Sequence, residues 1–431
     1  MPRATAGLAA GFLARLPLVS DPQDSLRLGQ PIWLRHAPRT QRYRSLSGRH
    51  ETTVAIVGGG MTGALVAHAL ASAGVSTTVL EAAVIGKGST AASSALLLQE
   101  PDLELRPLTE RYGARASRRI WQLGRESVHE LVRLLKRLRV PCDLKNRATI
   151  YYTTDAQAIE RLRGEFVLRS RFGFEADWLS AGDLRKMTGI SGRGAILTPG
   201  NAQFDPYRAC VGVFRSAVAH GARVFERSEV RRIDAARDRV HIRTRNGTLE
   251  AQRVVIATGY ATPRFRPLAG RFRMYRTYVL ATEPMSAMQR DELGLSDVML
   301  WDTERPYHYA RWTSGRRLLM GGGDRRVRPG QRRRQEFKTA SRDLHDYFEA
   351  LLPALAEVGT EFAWEGLFAM TSDSLPYIGP HRRYPRHWFA LGYGGNGMTF
   401  GFLAAQLLLE RWHGIESRDH SLFEFDRLRR A

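Results

Sequence analysis

The sequence predicts an α/β fold of two domains. Over Val54–Glu81 an apolar strand, a glycine-rich turn, a helix rich in Ala and Leu, and a second apolar strand follow one another, which is the order of a βαβ unit. From about residue 266 to 355, strand-like pieces recur without that alternation, which indicates a separate mixed sheet. A chain of 431 residues is also long enough for two cores.

Residues 1–50 are basic, contain proline and lack sustained periodicity, so we expect an extended lead-in. The apolar run near the N-terminus is interrupted by Arg15 and precedes no clear small-residue cleavage site, which argues against a signal peptide. No stretch reaches the roughly 18–20 apolar residues of a membrane span. Cys142 and Cys210 are the only cysteines; two thiols provide neither a disulfide framework nor a metal site, and a cytoplasmic location is expected.

The turn after the first strand carries the pattern GxGxxG at Gly58, Gly60 and Gly63. Glycines there allow a tight turn, a close approach of the backbone to a pyrophosphate, and close packing of the helix on the strand. The helix that begins at Met61 and Thr62 offers N–H groups and a partial positive charge to phosphates. Glu81, at the end of the second strand, has the spacing of an acid that accepts hydrogen bonds from ribose hydroxyls. The unit is therefore predicted to be a Rossmann-like dinucleotide site.

The remaining elements are predicted from hydrophobic periodicity and from residues typical of helix starts and turns. Helical spacing covers residues 109–139 and 155–172, and 149–154 is strand-like. Asp205-Pro206 is a helix start signal, and Asn246-Gly247 predicts a type I′ hairpin turn. The last long helix is predicted over Phe400–Trp412.

Two further glycine sites point to a long cofactor. Thr258 and Gly259 end a buried strand where a small backbone can pass close to a ligand, and Gly392–Gly397 precedes the last helix. Backbone N–H groups of such a loop, with the helix dipole behind them, suit a ligand that carries negative charge. Glycine sites so far apart in sequence favour FAD over a nucleotide held by one domain.

With these motifs in place, the chain from about residue 53 to 412 resembles the FAD-dependent oxidoreductases of the D-amino-acid oxidase family. The matches are Val54–Glu81, the GKGSTAAS loop at Gly86–Ser93, the Asp205-Pro206 helix with VVIATG at Val254–Gly259, and Asp373–Gly401. The LLLQEPD stretch at Leu96–Asp102 is most similar to the amine-oxidising, putrescine-type branch.

The resemblance implies a role for each matching position. Gly58, Gly60 and Gly63 lie at the pyrophosphate, and Glu81 binds the adenosine ribose. Gly88, Ser89 and Thr90 lie near the diphosphate and flavin, and Val230 contacts adenine through its backbone. The isoalloxazine is flanked by Gly395, Asn396, Gly397 and Met398.

Departures from the family pattern concern the attachment, the acceptor and the substrate. Gly366 stands where sarcosine oxidases attach flavin through cysteine, which predicts non-covalent FAD. Leu319 replaces their oxygen-activating lysine, so the acceptor is oxygen or another electron carrier. Thr399 replaces the lysine that holds the substrate carboxylate, so an amine without a carboxylate stays open beside an amino acid.

Substrate-side candidates lie in the second domain. Strand alternation would place Tyr307, Tyr309 and Arg311 on one face and His308 on the other. Tyr309 and Arg311 are predicted to bracket the substrate, with Thr399 as the third candidate catalytic residue, whereas a plain aromatic sheet face is the structural alternative. His308 is interpreted as structural, and Trp301 and Asp302 as pocket-lining candidates.

The predicted FAD-binding domain comprises residues 51–145, 201–265 and 360–431, and the predicted substrate domain comprises residues 146–200 and 266–359. The expected reaction is hydride removal from a carbon that bears nitrogen, giving an imine that water hydrolyses. One alternative is a flavin dehydrogenase that reduces a quinone or a protein.

The net charge of +22 suggests a second alternative, a non-catalytic or nucleic-acid-associated flavoprotein. Because the basic charge is mostly scattered arginine and charge alone gives only non-specific affinity, no specific nucleic acid is expected.

Overall fold

The computed structural model describes residues 26–35, 37, 42–261, 265–328, 330 and 332–429. Its strands, in chain order, are β1 (Arg27–Gly29), β2 (Gly48–Val57), β3 (Thr77–Leu80), β4 (Leu96–Leu97), β5 (Lys145–Thr153), β6 (Asp177–Ser180), β7 (Gly194–Gln203), β8 (Arg223–Phe225), β9 (Arg232–Ala235), β10 (Val240–Arg243), β11 (Gly247–Gly259), β12 (Arg273–Thr282), β13 (Met299–Asp302), β14 (His308–Trp312), β15 (Leu318–Arg326), β16 (Thr360–Met370), β17 (Tyr377–His381) and β18 (Tyr384–Leu391).

The α-helices, in chain order, are α1 (Ile32–Arg35), α2 (Met61–Ser72), α3 (Ser89–Ala92), α4 (Leu105–Arg137), α5 (Ile159–Arg171), α6 (Ala181–Thr188), α7 (Pro206–Ala219), α8 (Arg266–Ala269), α9 (Ala287–Leu293), α10 (Arg333–Leu351), α11 (Gly397–Trp412) and α12 (Arg418–Ser421). Short 3₁₀ helices cover Pro353–Glu357 and Arg427–Arg429. No helix in the described part of the chain is long and apolar enough to cross a membrane.

The elements form two compact units. The first, which we call the mixed-sheet unit, holds the described residues up to Arg35 together with Lys145–Gln203 and Tyr275–Leu367. Its strands lie in the order β1-β16-β12-β15-β14-β13-β5-β7, with β6 paired to β7. Strand β13 is parallel to β5, whereas β15 is antiparallel to both β12 and β14, so the sheet is mixed as predicted. One sheet face packs on α10 through a core that includes Tyr278, Trp312 and Phe348.

The second unit, called here the parallel-sheet unit, holds the described residues of 36–144, 204–274 and 368–431. Its sheet runs in the order β17-β18-β11-β2-β3-β8, and β18, β11, β2, β3 and β8 are mutually parallel. Helix α2 packs against both α7 and α11. Parallel strands with packed helices are what the βαβ pattern predicts, and the α/β class with a second mixed sheet is confirmed.

Some local predictions needed correction. The last long helix begins at Gly397 instead of Phe400, and the predicted helix over 109–139 starts at Leu105 and is interrupted at Gly113, whose φ is 77°. The β10–β11 hairpin exists, but the type I′ turn at Asn246-Gly247 is wrong. The Thr244 N–H donates to the Gly247 carbonyl at 2.9 Å and its hydroxyl accepts the Gly247 N–H at 3.1 Å, so the turn closes without a residue at positive φ.

The predicted lead-in, residues 1–50, is only partly described. Arg27–Gly29 pairs with residues 364–366 at the edge of the mixed sheet, and residues 48–50 begin β2. Residues 1–25 lie outside the described residues.

Candidate functional site

The turn between β2 and α2 has no room for side chains. Gly58 has φ of 117°, and a Cβ there would lie 2.5 Å from the Ala257 carbonyl oxygen. A Cβ on Gly63 would lie 2.0 Å from the Gly58 carbonyl oxygen. Both glycines are therefore required by contact with backbone, as the motif predicted.

The amino end of α2 presents open amides. The Met61 N–H donates to the Thr90 hydroxyl at 2.9 Å, and the Ala64 N–H donates to the Gly60 carbonyl at 3.0 Å. Within the described part of the chain, the N–H groups of Thr62 and Gly63 meet no acceptor, and the first turn carries no acidic residue. Two open donors at the positive end of a 12-residue helix fit a phosphate group.

The GKGSTAAS loop lies against the same end. Gly88 caps α3, which begins with Ser89 and Thr90, and a Cβ on Gly60 would lie 3.1 Å from the Thr90 hydroxyl. The structure thus brings Thr90 to Gly60 and Met61, as a diphosphate site formed by both motifs requires.

Glu81, at the end of β3, closes the other side of the turn. Its carboxylate accepts the Gly59 N–H at 2.6 Å and the Ala83 N–H at 2.8 Å. Burial raises the pKa of the Glu81 carboxyl, and the two amide hydrogen bonds oppose that rise. Since each carboxylate oxygen has a second lone pair, Glu81 can also accept ribose hydroxyls.

A second acid, Glu226, was missed at the sequence level. It is 2% exposed and accepts the N–H groups of Ile85 at 3.1 Å and Tyr43 at 3.3 Å, and its charge contributes to the raised pKa of Glu81. Two residues on, the Ser228 N–H donates to the Glu81 carbonyl at 2.8 Å, and Val230 follows with a buried side chain. The proposed adenine contact therefore lies on a segment bonded to Glu81.

The third glycine site joins the end of β11 to the loop before α11. The Gly392 N–H donates to the Gly259 carbonyl at 2.9 Å, and Gly259 has φ of 80°. The Thr258 hydroxyl donates to the Tyr260 carbonyl at 2.8 Å. The two loops that the sequence suggested as cofactor contacts are thus neighbours.

The amino end of α11 meets the amino end of α2 at Thr62. A Cβ on Gly401 would lie 2.9 Å from the Thr62 hydroxyl oxygen. Burial raises the pKa of Tyr393, and the Thr62 side chain opposes that rise; the Tyr393 hydroxyl donates to the Ala390 carbonyl. Two glycine motifs more than three hundred residues apart in sequence therefore share one location.

The first turn of α11 contains the predicted flavin contacts. Asn396 is the N-cap, and Gly397, Met398 and Thr399 are the first three helical residues. The Thr399 hydroxyl donates to the Leu98 carbonyl at 2.7 Å. The Gly395 N–H donates to the Asp102 carboxylate, a contact that the sequence did not predict.

The other two candidate catalytic residues lie in the mixed-sheet unit. Tyr309 lies across Gly321 on the paired strand, where a Cβ would be 2.3 Å from the tyrosine ring, and its hydroxyl is 3.2 Å from the Thr277 hydroxyl. Arg311 is 2% exposed, and its guanidinium lies 5.1 Å from the centre of the Trp33 ring.

The alternation predicted for this strand is confirmed for its described residues. Ala310 and Trp312 point into the core, opposite Tyr309 and Arg311, while Tyr307 precedes the strand.

Two other candidate residues of this unit, Trp301 and His308, each stack on a tyrosine ring. The Trp301 ring stacks on Tyr151 at 3.7 Å. The Asp302 carboxylate lies 3.0 Å from His308 Nδ1 and accepts the Tyr347 hydroxyl at 2.7 Å, and His308 stacks on Tyr347. Asp302 is thus hydrogen-bonded to both His308 and Tyr347, and the His308 ring packs against Tyr347.

Comparison with known proteins decides the family. The sequence profile of the family described as DAO, FAD dependent oxidoreductase, matches residues 53–411. The chain belongs to the DAO family of FAD-dependent oxidoreductases. FAD as cofactor and enzymatic activity, both predicted from the sequence, are confirmed at the level of the family.

Relatives within the DAO family span most of the chain. Gamma-glutamylputrescine oxidoreductase of Escherichia coli is 28% identical over 377 residues, 85% of this chain and 84% of that protein. Glycine oxidase of Bacillus licheniformis is 25% identical over 370 residues, 84% of this chain and 92% of that protein.

Solved structures confirm the DAO-type fold. Glycine oxidase from Geobacillus kaustophilus superposes with a TM-score of 0.71 at 22% identity and covers 86% of this chain and 96% of its own. L-proline dehydrogenase from P. horikoshii superposes with a TM-score of 0.73 at 20% identity, over 89% of this chain and 99% of its own.

Proposed function

We propose that this DAO-family enzyme oxidises the C–N bond of an amine or amino acid to an imine. The relatives named gamma-glutamylputrescine oxidoreductase and glycine oxidase support this class of substrate. The observation that carries the proposal is the meeting of the two glycine motifs at Thr62, where α2 and α11 begin side by side. One extended cofactor can contact both helix ends.

The parallel-sheet unit supplies the groups that would hold FAD. The open N–H groups of Thr62 and Gly63 suit the diphosphate, and Glu81 suits the ribose hydroxyls. The first turn of α11, with Gly397 and Met398, suits the flavin ring, because the positive end of a helix stabilises negative charge.

Bound FAD would supply a two-electron acceptor for the hydride on the carbon next to nitrogen. Loss of that hydride and of a proton from nitrogen would give the imine, which water would hydrolyse to a carbonyl compound and ammonia or an amine. The side chains around the site are proposed to position that C–H bond and to exclude water. No dedicated base is needed if the amine binds unprotonated.

The contact of Thr399 favours an amine without a neighbouring carboxylate. Thr399 is 2% exposed, and its hydroxyl donates its one proton to the Leu98 carbonyl at 2.7 Å. To bind a substrate carboxylate, this hydroxyl would have to give up that bond, and the carboxylate would have to lose its hydration.

This substrate preference is tested by anaerobic bleaching of flavin absorbance with matched pairs. Putrescine and ornithine, and methylamine and glycine, differ only by the carboxylate on the reacting carbon. We expect the amine of a pair to bleach the flavin faster than the amino acid. Bleaching by amino acids alone would overturn the preference but leave C–N oxidation standing.

A second candidate, a dehydrogenase with an acceptor other than oxygen, is favoured by one observation. Leu319 is fully buried opposite Arg311 in the sheet, at the position where sarcosine oxidases carry a lysine. Admitting air to the bleached samples separates the two: an oxidase recovers its colour at once, whereas the dehydrogenase recovers it quickly only with a quinone. The FAD is proposed to be non-covalent, since the described cysteines are both buried thiols, and acid precipitation should release the colour.

A further inference from the structure

The turn before α11 is tied to one short segment of chain, Leu98–Asp102. The Gly395 N–H donates to Asp102 Oδ2 at 2.5 Å and the Asn396 amide donates to the Glu100 carbonyl at 2.5 Å. The Thr399 hydroxyl donates to the Leu98 carbonyl at 2.7 Å. These bonds join residues that lie 293 to 301 positions apart in sequence, and they set the position of the helix end.

Asp102 is the member of this set that accepts through its side-chain carboxylate, whereas Glu100 accepts through its backbone carbonyl. Its Oδ2 lies 2.2 Å from the position that a Cβ on Gly394 would take, and Gly394 has φ of 60°. Glycine at this position therefore makes room for the carboxylate against the turn. The Gly394 N–H donates to the Ala369 carbonyl at 3.1 Å, so the amides of Gly394 and Gly395 both have protein acceptors.

A carboxylate at this place has two electrostatic consequences. It stabilises the positive end of α11 in the way that an acidic cap does. It also accepts the Gly395 N–H, and its charge offsets the positive potential at the amino end of α11. That potential would otherwise stabilise a ligand that gains negative charge. A flavin ring beside this turn gains negative charge on reduction, so Asp102 makes that gain less favourable.

We propose that Asp102 is a positioning residue that fixes the Gly394–Asn396 turn and lowers the midpoint potential of the bound FAD. This inference rests on the proposed function in one respect, the placement of the flavin ring at the amino end of α11. It gives a role to the LLLQEPD segment at Leu96–Asp102, to which the proposed reaction assigns none.

The test is the midpoint potential of FAD-loaded protein, measured with dithionite or an enzymatic reductant against a reference dye. Asp102→Asn keeps an oxygen acceptor for Gly395 but removes the charge. We expect its reduction equilibrium to shift about tenfold toward the reduced form, which is about 30 mV for a two-electron couple. Its thermal stability should stay close to that of the wild type, because Asn caps helices about as well as Asp.

Asp183→Asn is the matched control. Asp183 also accepts an N–H at a helix end, from Ser180 at 3.2 Å, but it is exposed and belongs to the mixed-sheet unit. Its potential should equal that of the wild type. Gly394→Ala tests the same contact in a second way, because the added methyl displaces the Asp102 carboxylate. It should raise the midpoint potential, and the double variant should have the same potential as Asp102→Asn alone.

An Asp102→Asn protein that carries FAD at the wild-type potential overturns the inference. If that variant takes up no FAD, an unchanged potential in Gly394→Ala overturns it instead. Because the measurement needs no amine, failure of amine oxidation would leave this result standing, and the two proposals fail separately.

Discussion

Gly63 has no space for a side chain, because a Cβ would lie 2.0 Å from the backbone oxygen of Gly58. Gly63→Ala must therefore push α2 away from the strand end. We expect a loss of roughly 1–3 kcal/mol in the free energy of unfolding, the usual cost of overpacking, and at least a tenfold weaker FAD affinity. Urea unfolding and flavin fluorescence titration measure the two effects.

Gly164→Ala is the control for that change. Gly164 lies inside α5, and an added Cβ would meet nothing within 4 Å. Alanine there should be neutral or slightly stabilising. Equal FAD affinity in Gly63→Ala and the wild type would contradict the role given to the Gly58–Gly63 turn.

At the residue scale the sequence was most informative where one motif contains all the partners. The role of Gly63 depends on a local turn, because its close contact is with Gly58, and the motif spacing alone predicted it. Glu226 and Asp102 were not predicted, because their partners are distant in sequence: Glu226 accepts from Ile85 and Asp102 from Gly395. A single sequence does not reveal which distant acid reaches which amide.

The amino end of α7 makes a pH-dependent prediction at the scale of an element. Asp205 caps α7 by accepting the Arg208 N–H at 2.9 Å, and burial raises the pKa of its carboxyl to about 6. That value exceeds the unfolded pKa of about 3.9, so the folded state binds the extra proton. The contribution of Asp205 to stability is therefore full below about pH 4 and is lost as the pH rises to about 6.

Asp205→Asn keeps the cap and removes the buried charge. We expect its free energy of unfolding, relative to the wild type, to rise between about pH 4 and about pH 6 by up to about 3 kcal/mol and then to level off. Urea unfolding of both proteins across this range measures the difference. A difference that does not vary with pH would contradict the raised pKa.

Helix starts were predictable where a side chain caps them and less so where the backbone does. Asp205-Pro206 marked the start of α7 correctly. The start of α11 was placed three residues late, because Asn396 makes no side-chain cap and Gly397 looks like part of the loop. Tertiary bonds from the Leu98–Asp102 segment hold this end, and they override the local preference of glycine.

For the whole molecule, the order of strands and glycine turns predicted the parallel sheet, the mixed sheet and the family. The charge of +22 did not predict function, and many arginines instead pair with acids inside one unit. Arg276 lies 3.3 Å from Glu336, and Arg119 lies 2.7 Å from Asp419. The remaining positive charge is expected to give only salt-sensitive, non-specific attraction to polyanions.

The central claim is that FAD held at the two glycine motifs takes two electrons from the carbon next to an amine nitrogen. The most direct measurement is an anaerobic single turnover with putrescine, in which flavin bleaching and product are quantified together. We expect one carbonyl product and one ammonia for each FAD reduced. FAD-loaded protein that neither bleaches nor forms a carbonyl with any amine or amino acid would contradict it.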